Sequence, residues 1–158
     1  SNIFHNLKTP DGRGDISKIK MFKKSFYLID ESYNSNPLSL NSALNNFSKI
    51  KVKKSKKHLV LGDMLELGKY SKKLHKDIGK IINKTSINRI NVIGKHMKDV
   101  HKNLKKSKKG LILRTTKQII KLIKNDINNN DYLMIKGSNS TGLNKFTNNL
   151  KMGKMNAL

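Results

Sequence analysis

The chain has 158 residues, no cysteine, and a formal charge of +24 from 34 basic and 10 acidic side chains. Lack of cysteine excludes disulfides and thiolate metal sites, and no apolar run approaches the roughly 20 residues that span a bilayer. A domain of this size buries about 70% of its unfolded surface, so one core suffices; with no charged-then-apolar leader at Ser1-Asn2-Ile3-Phe4-His5, a cytoplasmic protein is expected.

The charge invites a nucleic-acid reading, because clustered cations gain affinity by releasing counterions from phosphates. Its distribution points elsewhere. Only Arg13, Arg89 and Arg114 are arginine, the other 31 basic residues are lysines spread over nearly every segment, and asparagine and isoleucine are abundant too. All three of these residue types have A/T-rich codons, so a compositional bias filling solvated positions is the simpler account. Base-reading surfaces favour arginine with interleaved aromatics, a pattern not seen here.

Residues 1–9 read as a tail, and Thr9-Pro10-Asp11-Gly12-Arg13-Gly14 as a turn cluster. Ile16 to Phe22 alternates imperfectly between apolar and basic residues, Lys23-Lys24-Ser25 turns, and Phe26 to Ile29 is continuously apolar. That order predicts an antiparallel edge strand leading into a buried one. The strand then runs through Leu28-Ile29-Asp30-Glu31 into the polar cluster Ser32-Tyr33-Asn34-Ser35-Asn36-Pro37. Asn36 can cap a helix and Pro37 suits its first turn, with Leu40, Ala43, Leu44 and Phe47 on one face to about residue 50.

A basic loop, Lys51 to Lys57, leads to the strand His58–Leu61. A helix from about Ser71 to Lys84 carries Leu74, Ile78, Ile81 and Ile82. The strand Ile90–Ile93 follows, then a helix with Met97, Val100 and Leu104, and the strand Leu111–Leu113. A helix with Ile119, Ile120, Ile123 and Ile127 precedes the strand Tyr132–Ile135, and a short helix with Leu143, Phe146 and Leu150 closes the domain. Residues 151–158 are expected to fray. This alternation predicts an α/β fold with a doubly wound, mostly parallel Rossmann-like sheet, helices on both faces and an antiparallel edge strand.

Each predicted strand ends in polar or glycine-bearing groups: Asp30-Glu31, Gly62-Asp63, Gly94-Lys95-His96, Arg114-Thr115 and Lys136-Gly137-Ser138. In a parallel sheet these ends share one edge, where open α/β sheets bind ligands. Neither G-x-G-x-x-G nor G-x-x-x-x-G-K-[ST] occurs, so the chain brings no phosphate cradle of its own. Gly137 to Gly142 reads as a capped turn. Asp30 and Glu31, adjacent on a strand, point to opposite faces, which favours a ribose-holding role for one of them over a catalytic dyad. His75 reads as a surface or packing residue, and no ligand pair of histidines predicts a metal site.

Two stretches carry a family resemblance. Asp30 to Ser39 resembles the "D-[DE]-x-Y-N-A-N-P-x-S" signature of the C-terminal domain of the Mur ligase family, with Ser35 replacing the alanine. Leu61 to Gly68 matches that domain's "LGDMLELG" run, followed by Ser71, His75 and Gly79. The lead-in Pro10 to Gly14 is similar to the family's "P-x-G-R-G". The resemblance covers residues 10–150, and makes residues 1–9 an interdomain tail.

It implies the third domain of an ATP-dependent amide ligase that adds D-alanyl-D-alanine to a UDP-N-acetylmuramoyl-tripeptide through an acyl phosphate, in peptidoglycan precursor synthesis. Mg2+ would offset the phosphate charge. The N-terminal and central ligase domains would be the chain's partners, and without the central phosphate loop this chain alone would be inactive. By the same resemblance Arg13 reaches the nucleotide, and Asp30 or Glu31 holds its ribose, with Glu31 favoured by its spacing to Tyr33. Tyr33, Asn34 and Asn36 line the nucleotide and acceptor side, and Lys136 and Ser138 lie near the acceptor dipeptide. Asn139 and Asn144 depart from the pattern, standing where an arginine and an acid are common. The domain would act as a lid that orders reactants and excludes water. The alternative is a stand-alone nucleotide- or nucleic-acid-binding module that keeps the fold without ligase activity.

Overall fold

The computed structural model describes residues 14–33, 35–64 and 71–154. A hairpin of β1 (Asp15–Met21) and β2 (Lys24–Glu31) precedes α1 (Pro37–Lys49), β3 (Lys57–Gly62), α2 (Ser71–Ile82) and β4 (Arg89–Ile93). Then come α3 (Met97–Lys102), β5 (Lys109–Leu113), α4 (Thr116–Asp126), β6 (Tyr132–Lys136) and α5 (Leu143–Lys151). The strands form one sheet in the order β1-β2-β6-β3-β4-β5, antiparallel at β1–β2 and parallel elsewhere. The doubly wound sheet and its antiparallel edge are therefore as expected.

Chain direction explains the two helical layers. From β3 the chain steps outward to β4 and β5, then returns to place β6 between β2 and β3. Right-handed crossovers running in opposite directions put their helices on opposite faces. On one face Leu40, Phe47, Ile78, Ile82 and Val100 pack against Leu59, Leu61 and Val92. On the other, Ile119, Ile123, Phe146 and Leu150 pack against Phe26, Leu28, Val60 and Leu133. Leu59 and Leu61 thus serve one core and Val60 the other, which is why this strand reads as an unbroken apolar run. No helix among the described residues is long and apolar enough to cross a membrane.

Two local expectations are corrected. The hairpin turn lies at Phe22-Lys23, with φ of 55° and 62°, and pairing resumes at Met21↔Lys24, so Lys24 and Ser25 belong to β2. A two-residue turn with both central φ values positive matches the right-handed twist of its strands, although neither residue type signals it. Lys57, expected in a solvated basic loop, opens β3 and is buried. Its ammonium donates to the carbonyls of Phe47 (3.1 Å), Ser48 (2.9 Å) and Ile50 (2.8 Å) and to Ser86 Oγ (2.6 Å). It therefore satisfies the orphan carbonyls at the end of α1, where the helix dipole also favours a cation. Burial, and to a lesser degree Lys108, push its pKa below the ordinary 10.5.

Smaller boundary shifts have similar causes. α2 ends at Ile82 rather than Lys84, where Thr85 Oγ1 donates to the Ile82 carbonyl at 2.7 Å. Leu104 and Ile127 are buried just beyond α3 and α4, as apolar plugs following each helix. Lys151, expected in the fraying tail, closes α5 and pairs with Asp15 (3.1 Å) and Asp30 (2.8 Å).

Candidate functional site

Parallel register brings the central strand ends together. Glu31 at the end of β2 stands opposite Lys136 at the end of β6, which in turn stands beside Leu61 of β3. Next to them begins α1, with a capping box. Asn36 Oδ1 accepts from Ser39 N at 2.9 Å, Ser39 Oγ accepts from Asn36 N at 3.0 Å, and Pro37 opens the helix. The cap thus engages the carboxamide oxygen of Asn36 and fixes the chain's direction as it leaves the strand.

Lys136 is almost wholly buried, and Nζ reaches Ser39 Oγ at 3.3 Å and the Glu31 carboxylate at 3.6 Å. Burial lowers the Lys136 pKa against the opposing pull of Glu31, and burial raises that of Glu31 against the opposing pull of Lys136. Glu31 keeps 18% of its side chain exposed, so the pair presents a carboxylate at the edge with a desolvated cation behind it. Gly14 packs directly on this carboxylate. Its N–H donates to the Asp30 carbonyl at 2.6 Å, its φ is +98°, and a Cβ there would lie 2.5 Å from Glu31 Oε1. The residue before Gly14 is Arg13, which lies outside the described residues, as does Asn34.

Asp30 points the other way, as strand alternation requires. It is fully buried towards α5, accepting from Ser32 N at 3.1 Å and from Ser32 Oγ, and pairing with Lys151 at 2.8 Å. Ser32 Oγ also meets Thr147 at 2.9 Å and Asn144 Nδ2 at 3.3 Å. This closed network ties β2 to α5. The edge itself is left to Glu31. Tyr33 is exposed beside it.

A second cluster of the edge, whose residues the sequence places at strand ends, is bound together by contacts that the sequence does not reveal. The Asp63 carboxylate accepts the Lys95 and His96 backbone N–H groups at 2.9 and 3.1 Å, and its carbonyl accepts Ser138 N at 3.2 Å. It thereby joins the ends of β3, β4 and β6. Gly94 makes this possible, with φ at +130° and no Cβ, which would otherwise lie 2.6 Å from that carboxylate. His75 is buried, its Nε2 accepts Met64 N at 3.1 Å, and its ring lies 5.3 Å from that of His96. It is a packing residue that holds Met64 just after β3; residues 65–70 lie outside the described residues.

Ser138 begins the turn Asn139–Thr141, accepting at its carbonyl from Thr141 N (3.0 Å) and Thr141 Oγ1 (2.6 Å). Gly137 lets the turn lie against α5, since a Cβ there would meet Leu143 Cδ1 at 2.6 Å. The structure therefore gathers Glu31, Tyr33, Asn36, Lys136 and Ser138 along one edge and turns Asp30 away from it.

Comparison with known proteins bears on the family and the fold. The profile of the family described as "Mur ligase, glutamate ligase domain" matches residues 18–139. The UDP-N-acetylmuramoyl-tripeptide--D-alanyl-D-alanine ligase of Buchnera aphidicola subsp. Acyrthosiphon pisum is 34% identical over 126 residues, covering 78% of this chain and 26% of that protein. The Bacillus subtilis ligase of the same name is 29% identical over 126 residues, covering 78% of this chain and 27% of its own length. The chain thus spans about a quarter of the length of these curated relatives.

Among solved structures, the MurF ligase of Thermotoga maritima in complex with ADP aligns with a TM-score of 0.72 at 21% identity. A MurF of Acinetobacter baumannii aligns with a TM-score of 0.75 at 23% identity. Each alignment covers 93% of this chain and 32% of the other, and at such identities the likeness establishes the fold. With the profile spanning both the hairpin and the Lys136–Ser138 turn, the chain belongs to the Mur ligase family, as its glutamate ligase domain.

Proposed function

We propose that this domain, spanning residues 10–150, is the lid and acceptor-side part of a cytoplasmic ATP-dependent ligase. That ligase adds D-alanyl-D-alanine to UDP-N-acetylmuramoyl-tripeptide through an acyl phosphate, and residues 1–9 join the domain to the rest of the enzyme. The observation that carries the proposal is the Glu31–Lys136 pair at the ends of the neighbouring parallel strands β2 and β6, beside the capped start of α1. It lies within the stretch matched by the family profile.

The donor set fits a nucleoside better than a polyphosphate. Glu31 offers an acceptor for ribose hydroxyls, and Arg13, next to Gly14 on that carboxylate, offers a permanently charged fork. The sequence lacks a phosphate loop, so ATP phosphates and Mg2+, which supplies charge neutralisation when bound, belong to a central domain. Lys136 and Ser138 are assigned to the carboxylate of the acceptor dipeptide. Tyr33 and Asn34 are assigned to the wall between nucleotide and acceptor, and Asn36 to the positioning of both through the helix cap. Asp30 supports this edge from behind by locking β2 to α5.

The test is kinetic, in a chimera that carries residues 10–150 in place of the corresponding domain of the Bacillus subtilis ligase. Glu31→Gln is expected to raise KM for ATP about ten-fold, the worth of one charge-assisted hydrogen bond. Asp30→Asn is expected to lower the melting temperature with KM for ATP unchanged. An unchanged KM in the Glu31 variant would remove the nucleotide role.

A further inference from the structure

Away from the candidate edge, the starts of β3, β4 and β5 and the end of α4 line an open cavity of about 410 Å³. Its lining includes Lys56, Arg89 and Lys109, with Asp126 as the sole carboxylate among the described residues that line it. We propose that this cavity is a second ligand site, one that takes the hydrogen-phosphate group of a small phosphorylated molecule.

Three features support the assignment. First, the cations are uncommitted. Arg89 spends one nitrogen on the Lys109 carbonyl at 2.9 Å, which anchors its fork at the cavity. No ion pair is formed by Lys56, Arg89 or Lys109 with a carboxylate among the described residues. Arginine is also scarce in this chain, with three against 31 lysines, and its planar fork suits two phosphate oxygens at once.

Second, the cavity floor is built rather than left over. Asn91, fully buried in β4, accepts Leu111 N at 2.8 Å and donates to the Leu59 carbonyl at 3.3 Å. The β4–β5 register shifts at this point, and a Cβ on Gly110 would lie 2.3 Å from Asn91 Oδ1. A local irregularity held by a buried amide and a required glycine thus opens the sheet beside Arg89.

Third, His58, one of the lining residues, has a ring nitrogen with no hydrogen-bond partner. His58 is 3% exposed, and its Nε2 meets Asp131 Oδ2 at 3.0 Å. That carboxylate also accepts Lys56 N at 2.8 Å and Asn128 N at 2.9 Å, so it is an acceptor and His58 carries its proton on Nε2. Nδ1 is then a bare acceptor, buried and unpaired. Burial lowers the His58 pKa against Asp131 and Asp126, which keeps the ring neutral. An unpaired buried acceptor favours a ligand that brings a donor. Hydrogen phosphate brings both negative oxygens for the cations and an O–H for Nδ1, whereas sulfate at neutral pH brings only the oxygens.

The experiment is a backbone-amide NMR titration of the full chain with inorganic phosphate, at ionic strength held constant with sodium chloride and repeated with sulfate. The expected result is saturable shifts confined to residues 56–58, 89–91, 109–111 and 125–128, with phosphate binding tighter than sulfate. Arg89→Ala is expected to weaken phosphate about ten-fold, the loss of one bidentate charged contact. Arg114→Ala, away from the cavity, is expected to leave it unchanged. Shifts that grow linearly, spread over the lysine-bearing faces, match in sulfate or persist undiminished in the folded Arg89 variant would overturn the proposal.

Discussion

At the residue scale, the buried Lys57 and the half-buried Lys151 differ by what neutralises them. Lys57 has carbonyl and hydroxyl partners and no carboxylate among the described residues, so its worth lies in satisfying the end of α1. Lys57→Met keeps the apolar stem and removes the donors. It is expected to lower stability by about 2–3 kcal/mol in urea unfolding, because three carbonyls lose a charged partner. Lys151 is the opposite case. Burial lowers its pKa, but hydrogen bonds and charge from Asp30 and Asp15 outweigh burial and raise it above the ordinary 10.5. A base with a raised folded pKa contributes stability that is fully present below 10.5 and is lost as pH rises through the folded value. Melts above pH 10.5 are therefore expected to show a steeper loss in the wild type than in Lys151→Met, with the variant less stable at neutral pH. Parallel slopes would rule out this contribution.

At the scale of elements, the site rests on how strand ends are tied together. Asp63 does this by holding the backbone after β4, and Gly94 is the position that cannot carry a side chain there. Gly94→Ala combines a left-handed φ with a clash on a carboxylate, and is expected to cost about 2–4 kcal/mol in thermal unfolding. A cost below about 0.5 kcal/mol would show that the loop relaxes freely. The elements themselves were largely legible in the sequence. Strands buried on both faces read as short apolar runs, amphipathic helices read by their spacing, and Asn36-Pro37 announced the start of α1. The Phe22-Lys23 turn was not legible, because its positive φ values are imposed by strand twist rather than by residue type. Lys57 was hidden in a lysine run, since only tertiary packing separates it from its solvated neighbours. Asp63 was placed at the edge but its tie to the backbone after β4 was not foreseen, and the His58–Asp131 pair was missed, because their partners are backbone amides or residues 73 positions away, which no local pattern encodes.

At the scale of the whole molecule, the sheet has two polar ends with different chemistry. The carboxyl edge presents the Glu31–Lys136 pair, while the opposite end holds a cavity rimmed by Lys56, Arg89 and Lys109. The high net charge is a poor guide to either, because most lysines sit on solvated faces. The family match and the quarter of the relatives' length that the chain spans make ligase chemistry at the carboxyl edge a proposal to be tested in an assembled enzyme. The most direct measurement is ATP-dependent formation of the UDP-N-acetylmuramoyl-pentapeptide by the Bacillus subtilis chimera, against the same enzyme with its third domain deleted. The account predicts product from the chimera and none from the deletion. A chimera whose grafted domain melts cooperatively yet forms no product, even with residues 1–9 included, would contradict it.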